Sequence, residues 1–233
     1  GRMTTPAELV RLEQRDGLAT ITLARPPENR LVRPLYVQLE SAVRVAVRER
    51  IQRPPLPCAT TLIQAVPKGP AFENIVQKAT ELGAARIIPL LSERVVAHIN
   101  ERDADAKVEK WKQTAIESIK QCGSPWLPVI ANPIRFDKLA AQPRSSDLAV
   151  VCSLEEPKRN LRDVAAEFLA KHQRRPGSAT IWIGPEGDFT PAEYAAIAQL
   201  DAAPITLGPL ILRADTAAIA ILAVANHELQ SRD

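Results

Sequence analysis

Residues 179–193 read ATIWIGPEGDFTPAE, an uncharged run that breaks at Gly-Pro-Glu-Gly and resumes at Thr190 and Pro191. A short apolar run bounded by turn residues fits a strand buried on both faces, and residues 179–183 are assigned to one. Thr190, Pro191 and Glu193 supply the N-cap acceptor, first-turn proline and reciprocal acceptor of a capping box, which predicts a helix over 191–200. Strand, glycine turn and helix form the repeating unit of a parallel α/β sheet, whose ligands bind at the carboxyl ends of the strands. Gly184 and Gly187 therefore stand where backbone has to approach a bound molecule closely.

A second stretch, PITLGPLILRADTAA over 204–218, repeats the pattern. It predicts a strand over 205–207, a turn at Gly208, an apolar clamp of Leu210, Ile211 and Leu212, and a helix from about 215 to 229. Asp215 and Thr216 are the expected caps. Arg213 is an isolated charge among apolar residues, either paired with a buried carboxylate or presented to an anionic substrate. The helix that follows is apolar nearly all round, so it has to be covered on more than one side, as in a homodimer interface.

Outward from these two stretches, strands and helices alternate. Strands are predicted at 60–66, 86–90 and 148–152, and helices at 71–82, 105–122 and 161–171, giving a mostly parallel sheet covered on both faces. Pro54-Pro55-Leu56-Pro57 cannot lie inside a helix or a central strand, and it sets a domain boundary between 1–55 and 56–233. In the first part, Asp16-Gly17 within 9–23 signals a β-hairpin, and the alternation over 42–48 gives a strand exposing Arg44 and Arg48. Residues 1–60 hold ten Arg, no Lys and six acidic residues, a local charge of +4 in a chain of net +3. An arginine-only basic segment suits phosphate and base contacts in RNA.

Several function classes drop out. With 45% hydrophobic and 24% charged residues the chain has the composition of a globular protein. No apolar run is long enough to span a bilayer and no signal-peptide layout opens the chain, so a cytoplasmic location is expected. Cys58, Cys122 and Cys152 fit neither a disulfide framework nor a zinc knuckle, and His98, His172 and His227 lack metal-ligand spacing, so no metal is expected. There is neither a dinucleotide fingerprint nor a phosphate loop, which argues against NAD and ATP, and no nucleophile elbow that a hydrolase would need. Residues 17–30 resemble the opening strand of enoyl-CoA hydratases, but nothing later supplies that fold's oxyanion loops.

The two glycine-bearing loops, IGPEG at 183–187 and LGPLILRADTA at 207–217, resemble those of the SPOUT methyltransferases. More closely they are similar to the ribosomal RNA small subunit methyltransferase E family, which methylates N3 of a uridine in 16S ribosomal RNA. VPKG at 66–69, VQKATELG at 76–83, PLLSER at 89–94 and KQCG at 120–123 resemble family segments in the same order, so the likeness spans about 56–228.

The resemblance implies a C-terminal domain with a deep trefoil knot, preceded by a small PUA-like β domain for which the N-terminal part is short. It implies S-adenosylmethionine as cofactor, ribosomal RNA of the small subunit as substrate, and a homodimer. Carried over by position, the cofactor loops are Ser153, Leu154 and Glu155; Ile183, Gly184, Pro185 and Gly187; and Leu207, Gly208, Leu210, Ile211 and Leu212. Arg213 is the candidate for holding the uridine and its developing charge, with Glu186 second; the alternative for Glu186 is a loop-rigidifying acceptor of backbone amides. Arg44, Arg48, Lys68, Gln77, Lys78, Arg94 and Gln121 are the candidate RNA contacts. Three positions depart from the family: Asp188 stands where glycine is usual, and Leu210 and Ser124 where arginine is frequent. The other function class compatible with the sequence is a non-catalytic RNA-binding or ribosome-assembly protein that keeps the fold.

Overall fold

The computed structural model describes residues 10–15, 18–23, 54–95, 101–143, 146–154 and 159–230, with 10–23 and 101–102 described at backbone level. The chain divides into two compact units, Gly1–Gln52 and Arg53–Asp233. In the first, β1 (Val10–Arg15) and β2 (Leu18–Leu23) pair antiparallel with Arg15 opposite Leu18. The two residues left to connect them, Asp16-Gly17, are the pair that a tight hairpin favours. The strand expected over 42–48, with Arg44 and Arg48, lies outside the described residues.

The second unit is built on one parallel sheet. Its strands are β3 (Ala59–Ala65), β4 (Arg86–Leu91), β5 (Val129–Ile130), β6 (Ile134–Arg135), β7 (Leu148–Cys152), β8 (Ser178–Ile183) and β9 (Ala202–Ile205). The order is β5-β4-β3-β8-β7-β9, with β6 also on β4. β5 meets β4 at Arg86 and Ile87, β6 meets it at Leu90 and Leu91, and the outer ladder is interrupted between them. The cause is Pro89: Ile87 turns its carbonyl outward to the Ala131 amide at 2.9 Å, so the next outward amide along β4 would be that of residue 89, and proline has none.

Six helices in this unit are described: α1 (Ala71–Glu81), α2 (Glu101–Cys122), α3 (Phe136–Ala140), α4 (Leu161–His172), α5 (Pro191–Gln199) and α6 (Ala214–Gln230). On α1, Phe72, Ile75, Val76, Ala79 and Thr80 are buried, the stripe that a 3.6-residue period puts on one face. One face of the sheet packs Leu62, Ile87, Val150, Ile181 and Ile183 against side chains of α1, α2, α4 and α6. The other packs Ile63, Ile88, Val151 and Trp182 against Leu139 of α3 and Ile197 of α5. At the amino end of β3, the Gln230 side chain accepts from the Cys58 amide at 3.0 Å and donates to the Cys58 carbonyl at 2.7 Å. Ahead of β7, Asp147 accepts two bonds from Arg174 and one from the Gly177 amide, and the Arg174 guanidinium holds its carboxyl far below the usual range.

Most boundaries fall within a residue of the expectations, and the larger differences are at α2 and β9. α2 begins at Glu101, so Asp105 lies inside the helix and not at its cap. β9 covers Ala202–Ile205 where 205–207 was expected, and Pro204 is accommodated because the only ladder of β9 is with β7. The strand ends there because the Thr206 side chain accepts from the Gly208 amide at 3.2 Å, a local bond that competes with the ladder. α6 starts at Ala214, which puts Asp215 in the first turn and leaves Arg213 at the helix mouth, its carbonyl accepting from the Ala217 amide at 2.8 Å.

The capping box of α5 forms as predicted and carries a further load. Glu193, 5% exposed, accepts from the Thr190 amide at 2.9 Å through one oxygen and from the Glu93 amide, in the turn after β4, at 2.8 Å through the other. Replacing it by alanine removes the reciprocal half of the capping box, leaves the buried Thr190 amide without its acceptor and breaks the tie to the Glu93 amide. Glu193→Ala is expected to lower the unfolding free energy by about 2–4 kcal/mol in urea titrations. A loss no larger than that of an ordinary surface substitution, about 0.5 kcal/mol, would contradict the bridge.

Candidate cofactor site

β8, β7 and β9 are neighbours in the sheet, so the chain leaving each of them emerges at the same end. The three connections enclose one cavity of about 400 Å³, within the range of small-molecule and cofactor sites. Its walls come from Ser153 and Leu154 after β7, from 183–186 and Asp188 after β8, and from 206–213 after β9, with Ala217 of α6 behind. Except for Gly187, which is not among the lining residues, and Glu155, which lies outside the described residues, every residue expected to hold the cofactor lines this cavity.

The glycines do different work. A Cβ on Gly184 would sit 3.0 Å from the Asp188 carboxylate, 3.2 Å from the backbone nitrogen of Phe189 and 3.3 Å from its ring, so the loop turns back over this residue closely enough that even a methyl group would push its neighbours by a few tenths of an ångström. Gly208 has open space around it but adopts φ +122°, a conformation that side chains rarely take. Gly187 meets no such demand from its protein neighbours: its hypothetical Cβ would make only ordinary contacts with Arg94, at 3.5 and 3.7 Å, and its φ is unexceptional. The left-handed position in this loop is Asp188, at φ +59°. Asp tolerates that region better than most residues, and the side chain secures it: one carboxylate oxygen accepts from the Phe189 amide and from the Tyr194 hydroxyl, both at 2.8 Å. Glycine at the corresponding position of the resembled family meets the same backbone demand.

One backbone amide and one side chain from the β3–β4 half of the sheet brace the loop. Glu186 accepts from the Lys68 amide at 3.1 Å, and Arg94 donates to the Gly187 carbonyl at 2.6 Å. Glu186 thus accepts a backbone amide, the structural alternative raised for it. Lys68 and Arg94 flank the loop as exposed residues, whereas Gln77 and Gln121 line a separate polar groove between α1 and α2. Lys78 is engaged with Glu81 of its own helix, at 2.9 Å.

Arg213 is exposed, lines the cavity and has no ion-pair partner among the described residues. It stands at the amino end of α6, where the helix dipole disfavours a cation. A charge kept at an unfavourable place with no partner is presented outward. Cys152 also lines the cavity, but burial pushes its thiol far above the ordinary range, so it is protonated and no nucleophile. Sequence reasoning missed Cys152, Asp188, Thr206, Pro209, Ala214 and Ala217 as wall residues. Their signal is position beside recognised loops, not residue type. No group of three or more metal-ligating residues occurs among the described residues.

A cavity walled by adjacent strand-end loops is where open α/β sheets hold their ligands, and this chain belongs to the RNA methyltransferase domain family, whose profile matches residues 54–226. The similarity narrows further. The chain is 34% identical over 179 residues to the ribosomal RNA small subunit methyltransferase E of Synechocystis, covering 76% of this chain and 55% of that protein. It is 30% identical over 175 residues to the enzyme of the same name from Bacillus subtilis, covering 75% and 68%. Among solved structures it resembles a Legionella pneumophila methyltransferase in complex with bound SAM, with a TM-score of 0.67 at 29% identity over 74% of this chain and 67% of that one. The match thus spans little more than half the length of the Synechocystis relative.

The contrast between the two loop glycines is measurable. Gly184→Ala is expected to destabilise the protein by about 1–3 kcal/mol, because the obstructing atoms include backbone. Gly187→Ala should fall within about 0.5 kcal/mol of wild type. Equal unfolding midpoints for the two variants would contradict the close approach at Gly184.

Proposed function

We propose that this chain is an S-adenosylmethionine-dependent methyltransferase that modifies N3 of a uridine in 16S ribosomal RNA. The observation that carries the reading is the convergence of three strand-end loops on one cavity, with the exposed Arg213, which has no ion-pair partner among the described residues, in its wall. The residues present fit the cofactor: Gly184 and Gly208 keep the floor clear, and Ile183, Leu207 and Leu212 provide apolar walls for an adenosyl group. When bound, the cofactor supplies an electrophilic methyl group.

The protein's part is to align the uridine nitrogen with that methyl and to favour loss of the imide proton. Negative charge then grows on the base, and the Arg213 guanidinium stabilises it. Glu186 and Arg94 hold the middle loop at its backbone, so they act by positioning. Lys68 and Arg94, exposed beside that loop, are the candidates to meet RNA phosphate, and the arginine-rich residues 1–55, read as a PUA-like β domain, supply a basic RNA-binding segment of their own.

The reading includes the trefoil knot. Its support is the path of the chain: β8 lies between β3 and β7 although it follows both, and α6, after the edge strand β9, returns to pack on β3 and β8. It also includes the homodimer. Leu210 and Ile211 are 75% and 79% exposed, and Val224 on the outer face of α6 is 42% exposed, an apolar surface beside the cavity that a second copy of this chain covers. Placement in the cytoplasm follows from the ribosomal substrate; among the described residues no helix is long and apolar enough to cross a membrane.

Transfer of tritiated methyl to small-subunit ribosomal RNA from cells lacking this activity, followed by nucleoside mass spectrometry, is expected to yield 3-methyluridine. Arg213→Ala should lower kcat by about 100-fold or more while cofactor affinity changes little. A methylated product other than 3-methyluridine, or full activity of Arg213→Ala, would overturn the assignment. Sedimentation equilibrium tests the assembly: wild type is expected to be dimeric and Val224→Lys to shift toward monomer, and an unchanged mass would remove α6 from the interface.

A further inference from the structure

Donor and product of a sulfonium methyl transfer differ in one charge. When the methyl passes to nitrogen, the sulfur keeps the electron pair of the broken S–C bond and becomes a neutral thioether, while the nitrogen gives up its proton. Every other group on the two molecules is the same. A pocket that holds a fixed negative charge therefore binds the donor more tightly than the product, and a pocket without one depends on shape alone.

Asp188 meets the requirements for such a charge. It lines the cavity and is half-buried, so its carboxylate is less solvated than the exposed Glu186 and Arg213, the other charged wall residues. The Tyr194 hydroxyl and the Phe189 amide both hold Oδ1, which fixes the orientation of the group. Oδ2 has no hydrogen-bond partner, and no cation pairs with the carboxylate, among the described residues. The backbone at φ +59° would be met by glycine without strain. What the aspartate adds over glycine is thus a positioned, un-neutralised charge inside the wall.

We propose that Asp188 sets the preference of this pocket for the cationic S-adenosylmethionine over the neutral S-adenosylhomocysteine, an assignment that rests on reading the cavity as the cofactor site. Product would then leave readily after each transfer. Asp188 is a specificity-determining residue and takes no part in moving the proton or the methyl.

Calorimetric titration of the full chain with each molecule separately tests this, using wild type, Asp188→Asn and Asp188→Gly. Asparagine keeps the shape, the tolerance for positive φ and an acceptor for Tyr194; glycine removes the side chain without backbone strain. In both variants the ratio of the two dissociation constants is expected to move toward the product by about tenfold, the scale of one charge pair in a partly desolvated site, through weaker donor binding. Product affinity should stay within about twofold. An unchanged ratio in both variants, whether the two molecules bind as before or weaken together, overturns the proposal and leaves Asp188 as a loop brace only. Wild type binding neither molecule would overturn the cofactor reading itself, a result distinguishable from the first.

Discussion

At Gly184 the main chain comes off β8 and within five residues folds back over its own start, so that the backbone nitrogen of Phe189 lies 3.2 Å from where a side chain would begin. That packing leaves the middle loop one shape. Phe189 is driven into the core beside Trp182 and Ile197, α5 starts at once from Thr190, and the Glu193 carboxylate that caps it reaches the amide of Glu93. Each step draws the loop away from the space above the sheet, and the cavity is what remains between it and its two neighbours. The site is thus a by-product of tight packing on one side and open turns on the other, with little specialised chemistry in its walls.

Much of this was readable in the residues. The buried strand over 178–183 and the capping box at Thr190 are local, set by polarity and spacing within a few positions, and both were predicted. The convergence of the three loops was expected by resemblance, since no local rule tells which strands become neighbours. Where local rules failed, a longer-range or competing bond decided the outcome. The Thr206 hydroxyl ended β9 early, the edge position let Pro204 into a strand, and Pro89 split the outer partner of β4 into two fragments too short to announce themselves. Gly187 is a different case: its protein neighbours leave room for a side chain, so the packing of the loop does not account for the glycine.

Charge in the site follows the same division between motif and surroundings. Arg213 stands at the dipole-disfavoured end of α6, where Asp215 in the first turn offsets part of the cost while its carboxylate accepts from the Thr216 amide at 2.8 Å. The arginine is left without a partner, and its retention there has no structural explanation in the described contacts. Glu186 carries the opposite lesson. Its position in the loop reads as chemistry, whereas its bond to the Lys68 amide reads as architecture.

The paired bonds between Gln230 and Cys58 join the last turn of the final helix to the residue just ahead of the first strand of the large unit. In a parallel sheet that seam lies at the amino ends of the strands, and the cavity lies at the carboxyl ends. Both ends of the described part of the large unit are therefore fastened together on the side of the sheet remote from the cavity. A circular rewiring that joins these two ends would therefore meet the fold at its seam and leave the walls of the cavity in place.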